Sequence, residues 1–319
     1  MNIKTNKYIW FFFGVLLAAM VGAYLANTLS APESRPLEYN SGNSDELAYV
    51  TVRDPEGNII LETGIPVSEN DEYINESNAH YLIIKVEGKN AVAIIKQEDD
   101  RESDSSQSGF NSNPSLFPQA IAAQADKKNR HVLIYHTHND ESYQLTSNTS
   151  SKRPRGDIIK VGEALKQALN RSGIKVTHIK NDHGPHDIHA YSRSRRSIVS
   201  QIKKKTPDAV FDIHRDAAPS RNYYGTVNGV EISKIMVVVG RSNPNMKTNL
   251  QYARRVKEIA DELHPGLIRG IYIGRGDYNQ DLYPTALLFE VGTNTNSLTM
   301  AERGARCLAD VLIKLLGKE

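Results

Sequence analysis

Three short segments of the chain gather the side chains that can do hydrolytic chemistry. The first runs Leu133-Ile134-Tyr135-His136-Thr137-His138-Asn139-Asp140-Glu141-Ser142, the second Phe211-Asp212-Ile213-His214-Arg215-Asp216, and the third Leu287-Leu288-Phe289-Glu290-Val291-Gly292. Each sets an imidazole or a carboxylate directly after an apolar run. Two imidazoles, a carboxylate and one open position are what a catalytic zinc ion requires. His136 and His138 lie two apart and share a face of an extended chain; where strand gives way to loop, only one need face a metal. Glu141 follows His138 by three residues, near enough in a tight turn for both to reach one ion. The expected ligands are therefore His138, Glu141 and His214. Glu290 is the expected general base, taking a proton from the water that the metal activates for attack on an amide carbon. His136 is left as a catalytic group that stabilises an oxyanion, as a support behind the ligands, or as an alternative ligand.

Other groups read more plainly. His178, His183, His186 and His189 resemble a metal cluster in number, but they fall in a polar stretch containing Gly184-Pro185 and read as surface histidines. The single cysteine, Cys307, excludes an intrachain disulfide. It sits among Leu308, Val311 and Leu312 and reads as a buried structural thiol rather than a nucleophile.

These groups need elements to position them. In open α/β sheets, sites form at the carboxyl ends of strands. Apolar runs at 132–135, 174–179, 208–213, 235–239, 267–273 and 286–289 read as strands, with helical spacing over 158–170, 192–205, 250–263 and 298–316. This alternation predicts an α/β fold over 130–319, a mainly parallel sheet flanked by helices. Upstream, an uncharged apolar run from Tyr8 to Ala26 follows Lys4 and Lys7 and is long enough to cross a bilayer. Residues 1–30 are thus expected to be an N-terminal transmembrane anchor, with the rest of the chain outside the cytoplasm. A polar tether follows over 31–46, then a small β module over 47–97 with two hairpin signals, then a polar linker over 98–129. A composition 39% hydrophobic and 24% charged supports a sizeable core, and a net charge of +2 gives no reason to expect a nucleic-acid partner.

The stretch Tyr135-His136-Thr137-His138-Asn139-Asp140-Glu141-Ser142-Tyr143 resembles the signature of the stage II sporulation protein P family, cell-wall hydrolases of endospore-forming bacteria. The resemblance continues through Ala190-Tyr191-Ser192-Arg193-Ser194, Ile213-His214-Arg215-Asp216-Ala217 and Glu290-Val291-Gly292, and upstream in Asp71-Glu72-Tyr73-Ile74. More distantly, the strand ends are similar to those of zinc N-acetylmuramoyl-L-alanine amidases. The resemblance implies an amidase-like fold and a zinc-dependent cut in peptidoglycan between N-acetylmuramic acid and the stem peptide. It also implies cleavage of peptide crosslinks, action during engulfment, and stage II sporulation proteins D and M as partners. In the wider amidases the carboxylate ligand opens the first helix. That region here reads Arg155-Gly156-Asp157-Ile158, which leaves Glu141 or Asp157 for the role. A non-catalytic wall-binding scaffold and a secreted zinc peptidase both stay open at this point.

Overall fold

A computed structural model of the chain describes residues 49–96 and 130–317. The expected anchor, tether and linker lie outside the described residues, among which no helix is long and apolar enough to cross a membrane.

Five strands fill the first segment: β1 (Val50–Arg53), β2 (Ile59–Thr63), β3 (Glu72–Asn75), β4 (His80–Glu87) and β5 (Asn90–Ile95). The turn between β1 and β2 closes as the Asp54 carboxylate accepts from the Asn58 backbone at 2.8 Å, with Gly57 supplying the left-handed φ of 90°. The second segment runs β6 (His131–Tyr135), α1 (Ile158–Arg171), β7 (Lys175–His178), α2 (Ala190–Lys204), β8 (Ala209–Asp216), β9 (Tyr224–Val227) and β10 (Val230–Ser233). It ends with β11 (Ile235–Gly240), α3 (Met246–Leu263), β12 (Ile268–Gly274), β13 (Ala286–Thr293) and α4 (Leu298–Leu316).

Eleven strands form one sheet in the order β2-β1-β5-β4-β3-β12-β11-β13-β8-β6-β7. The strands of the expected small β module continue this sheet, because β3 pairs antiparallel with β12 from Gly270↔Asn75 to Ile273↔Glu72. The expectation of a mainly parallel sheet holds only for part of it. The strands β13, β8, β6 and β7 are parallel neighbours, but β11 runs antiparallel to β13, so the sheet is mixed. The cause is the connection. A parallel return needs a long crossover, whereas β8 reaches β11 through the β9–β10 hairpin, turned by Asn228 and Gly229 at φ 51° and 76°.

Buried strands carry continuous apolar runs because both faces are covered, and alternate residues feed different cores. Val237, Val239, Ile271, Ile273 and Phe289 pack with α1, α3 and α4, while Met236, Val238, Tyr272 and Leu288 face Tyr73 and Tyr223. Helix α2 covers the other side of β6 and β8 through Ile198 against Leu133 and Val210. Cys307 packs beside the α4 core, and burial pushes its thiol up to about 11, which suits a structural thiol.

Candidate metal centre and active site

The three motif strands β13, β8 and β6 are adjacent and parallel, so their carboxyl ends lie side by side. Register sets Tyr135 opposite Asp212 and His214 opposite Glu290. After β6 the chain turns, closed by the Glu141 amide donating to the His138 carbonyl at 3.2 Å. Asp212 draws that turn onto β8, accepting from the Thr137 amide at 2.9 Å and the Thr137 hydroxyl at 2.6 Å.

The result sets the Glu141 carboxylate between two imidazoles, with a third ring close by: ligating atoms of His138, Glu141 and His186 lie within 4.8 Å of one another. Glu141 Oε1 lies 3.5 Å from His138 Nδ1 and 3.4 Å from His214 Nδ1. Glu141 Oε2 accepts from the Arg215 amide at 3.0 Å. Behind this carboxylate, His214 Nε2 stands 2.9 Å from Asp212 Oδ1, in ion-pair range though off the hydrogen-bonding direction. Burial opposes a charge on Glu141, but the facing His214 and His138 hold its carboxyl well below the usual range. Burial likewise opposes charge on His214, and the Asp212 and Glu141 carboxylates push its imidazole well above the ordinary value.

These residues fit a zinc ion. Tetrahedral bonds of about 2.0–2.1 Å set neighbouring donor atoms roughly 3.3–3.4 Å apart, and Glu141 Oε1 stands at 3.5 and 3.4 Å from the two imidazole nitrogens. Imidazole nitrogen with carboxylate oxygen is a zinc donor set, and a carboxylate behind a ligating imidazole is its usual support. Asp157 is engaged elsewhere, its Oδ1 on Lys160 Nζ at 2.9 Å and its Oδ2 on Ser147 Oγ at 2.5 Å. Of the two carboxylates left open by the sequence, Glu141 is the one that faces the histidines.

Glu290 enters from β13. It is buried, and Oε2 has no hydrogen-bond partner. Burial first, then the nearby Asp216 and Glu141 charges, hold its carboxyl well above the usual range against the pull of His214. Past Glu290 the register with β8 slips, and Gly292 takes a φ of 71°. Tyr143, fully buried, fixes this bulge by donating to the Val291 carbonyl at 2.7 Å.

His136 makes its contacts away from the Glu141 carboxylate. Fully buried, it donates from Nδ1 to the Ile213 carbonyl at 2.8 Å, and its Nε2 meets His178 Nε2 at 2.8 Å. His178, His183, His186 and His189 are not all surface groups either, and His178 ends β7 rather than lying in the loop. The His178 ring packs on His136, His183 is buried with Nδ1 on the His136 carbonyl at 2.8 Å, and His186 stacks on His138 with ring centroids 3.9 Å apart. Only His189 lies exposed without such a contact to the motif. The β7–α2 loop folds back over the ends of β6 and β8, a tertiary event that the local sequence does not announce. Sequence reasoning also passed over Asp212 and Tyr143 as working residues, although both stand inside the quoted motifs.

The His136–His178 pair makes stability pH-dependent. Burial pushes His136 down to about 3 and His178 to about 4, the latter against the pull of Glu163 and with the help of Lys180. A histidine kept neutral when folded contributes stability that is fully present above its unfolded value near 6.5. That stability drains away as pH falls toward the folded value. At about 1.4 kcal/mol per pKa unit, the pair should cost about 2–4 kcal/mol of stability between pH 7 and pH 5. Urea denaturation at the two pH values measures this, and a His178→Gln variant should show a smaller loss; equal losses would remove the pair as the cause.

Residues 45–313 match the sequence model of the family Stage II sporulation protein P (SpoIIP). Among curated proteins, the chain is similar to Stage II sporulation protein P of Bacillus subtilis (strain 168). It is 30% identical over 202 residues, 58% of this chain, and spans about half (50%) of that relative's length. Among solved structures, it is similar to the N-acetylmuramoyl-L-alanine amidase AmiC2 of Nostoc punctiforme at 14% identity and a TM-score of 0.40, over 60% of this chain and 99% of that one. It is also similar to the CwlD amidase of Clostridioides difficile, solved in complex with the GerS lipoprotein, at 15% identity and a TM-score of 0.42, over 60% of this chain and 100% of that one. With the family match covering most of its length and the signature residues gathered at three adjacent strand ends, the chain belongs to the Stage II sporulation protein P family.

Proposed function

We propose that the chain is a zinc-dependent peptidoglycan hydrolase of sporulation that cuts the amide between N-acetylmuramic acid and the stem peptide. In this reading the apolar run from Tyr8 to Ala26 anchors it in the cell membrane, and the described unit works outside the cytoplasm. Peptidoglycan is the substrate, and stage II sporulation proteins D and M are the proposed partners. Cleavage of peptide crosslinks is a proposed second activity.

The observation that carries the reading is the Glu141 carboxylate set between His138 and His214, beside a buried, unpartnered Glu290. Zinc held there supplies Lewis acidity, polarising an amide carbonyl and lowering the pKa of water. His138, Glu141 and His214 hold the ion, and Asp212 keeps the His214 ring turned so that Nδ1 faces it. Glu290 takes the proton from the attacking water on Oε2, the atom left without a partner. The proton it takes up is then at hand for the departing amine. Tyr143 holds the bulge that keeps Glu290 opposite His214. A wall-binding scaffold has no use for such a carboxylate, since leaving it buried and unpaired costs stability.

Mass spectrometry of purified peptidoglycan incubated with the detergent-solubilised chain, with and without a zinc chelator, tests the proposal. Free stem peptides and peptide-free glycan, lost with chelator, are the expected products. Shortened crosslinks with peptides still on the glycan would move the cut to the crosslink, and an intact wall in both samples would reject the hydrolase.

A further inference from the structure

We infer that His186 is a displaceable fourth ligand, closing the metal's open position in the resting protein until an incoming oxygen donor replaces it. The inference rests on the zinc reading above and concerns its regulation. His186 Nδ1 lies 3.1 Å from Asp140 Oδ1 and 3.3 Å from Oδ2. A carboxylate only accepts, so Nδ1 carries the hydrogen and Nε2 keeps its electron pair. That is how a carboxylate prepares an imidazole for a metal. The ring stacks on His138 at an interplanar angle of 20°, and ligating atoms of His138, Glu141 and His186 lie within 4.8 Å of one another. Glu141 Oε1 also stands 3.4 Å from His214 Nδ1, so this one carboxylate is shared between His214 and the His138–His186 pair. A tetrahedral zinc with four protein ligands is closed, whereas a catalytic one keeps a position open.

The four donors are not held alike. The side chains of Glu141 and His214 are 4% and 3% exposed and that of His138 is 17% exposed, but that of His186 is 42% exposed. The first three sit on strand ends and a hydrogen-bonded turn. His186 sits in the β7–α2 loop, whose backbone Arg193 clamps through the His183 and Pro185 carbonyls, with a further ion pair to Asp187. The loop is therefore held while the imidazole is retained by Asp140 and the ring stack, so the ring can swing out without unfolding its surroundings. Two buried ligands and the half-buried His138 keep the ion, and one exposed ligand gates it.

Cobalt replacement with azide as the incoming ligand tests this on the full chain, read by the visible absorption of bound Co2+. Removing a ligand's outer support typically shifts metal-site equilibria by about 10–100-fold. Azide should accordingly bind His186→Ala and His186→Gln at least about tenfold more tightly than wild type, with Asp140→Asn between them. Equal azide affinity in wild type and both His186 variants would overturn the gate while leaving the metal centre intact. Failure of the wild type to take up one Co2+ would overturn the zinc reading itself, and the gate with it.

Discussion

Replacing Glu290 with Gln should lower amide hydrolysis about 10²–10⁴-fold, the usual share of a positioned general base. Zinc content should not change. The substitution keeps size and shape but removes the electron pair that takes the proton. Glu290 Oε2 makes no hydrogen bond, so no structural contact is lost with it. None of the ion pairs among the described residues involves Glu290. An amide in its place therefore removes no ion pair, and the melting temperature of the metal-free variant should stay close to wild type. Rate, metal content by elemental analysis and melting temperature separate the outcomes. Lost zinc together with lost rate would make Glu290 a ligand, and full rate with full zinc would remove it from the chemistry.

Much of this site is legible in the sequence because it follows from strand ends. Apolar runs such as Val132–Tyr135 and Leu287–Phe289 are recognisable as buried strands, and a polar cluster directly after such a run is recognisable as a site. Alternation could not separate His136 from His138, which lie two apart on one face; only the break from strand into loop after Tyr135 distinguishes them. Strand direction was harder. The Asn228-Gly229 pair is a hairpin signal, and reading it would have reversed β11 and made the sheet mixed. The continuity of β3 with β12 was not legible, since pairing between residues near 75 and near 270 depends on edges that no local pattern names. The same holds for His186. Its loop is polar and exposed in sequence terms, and only the packed fold brings that ring onto His138.

The second large effect concerns His214, whose removal should cost both metal and stability. His214→Ala removes one of the proposed donors and should weaken zinc binding by well over about tenfold, by the measure of what even outer supports contribute. It also strips the group standing between two buried carboxylates, with Nδ1 3.4 Å from Glu141 and Nε2 2.9 Å from Asp212. Leaving buried charge uncompensated costs about 3–5 kcal/mol. The sign with pH follows from the carboxylates. In wild type both are held below their ordinary values, His214 being the leading favourable influence on each, so their contribution is present at neutral pH and lost on acidification. In the variant that support is gone, both carboxyls take up protons more readily, and protonation relieves the repulsion. The stability gap between wild type and variant, measured by urea denaturation of chelator-treated protein, should therefore be widest at pH 7 and narrow at pH 5. A gap that stays constant with pH would mean that the loss is one of packing, and the imidazole would then be a spacer between the strands rather than the charge that holds Glu141 and Asp212 in place.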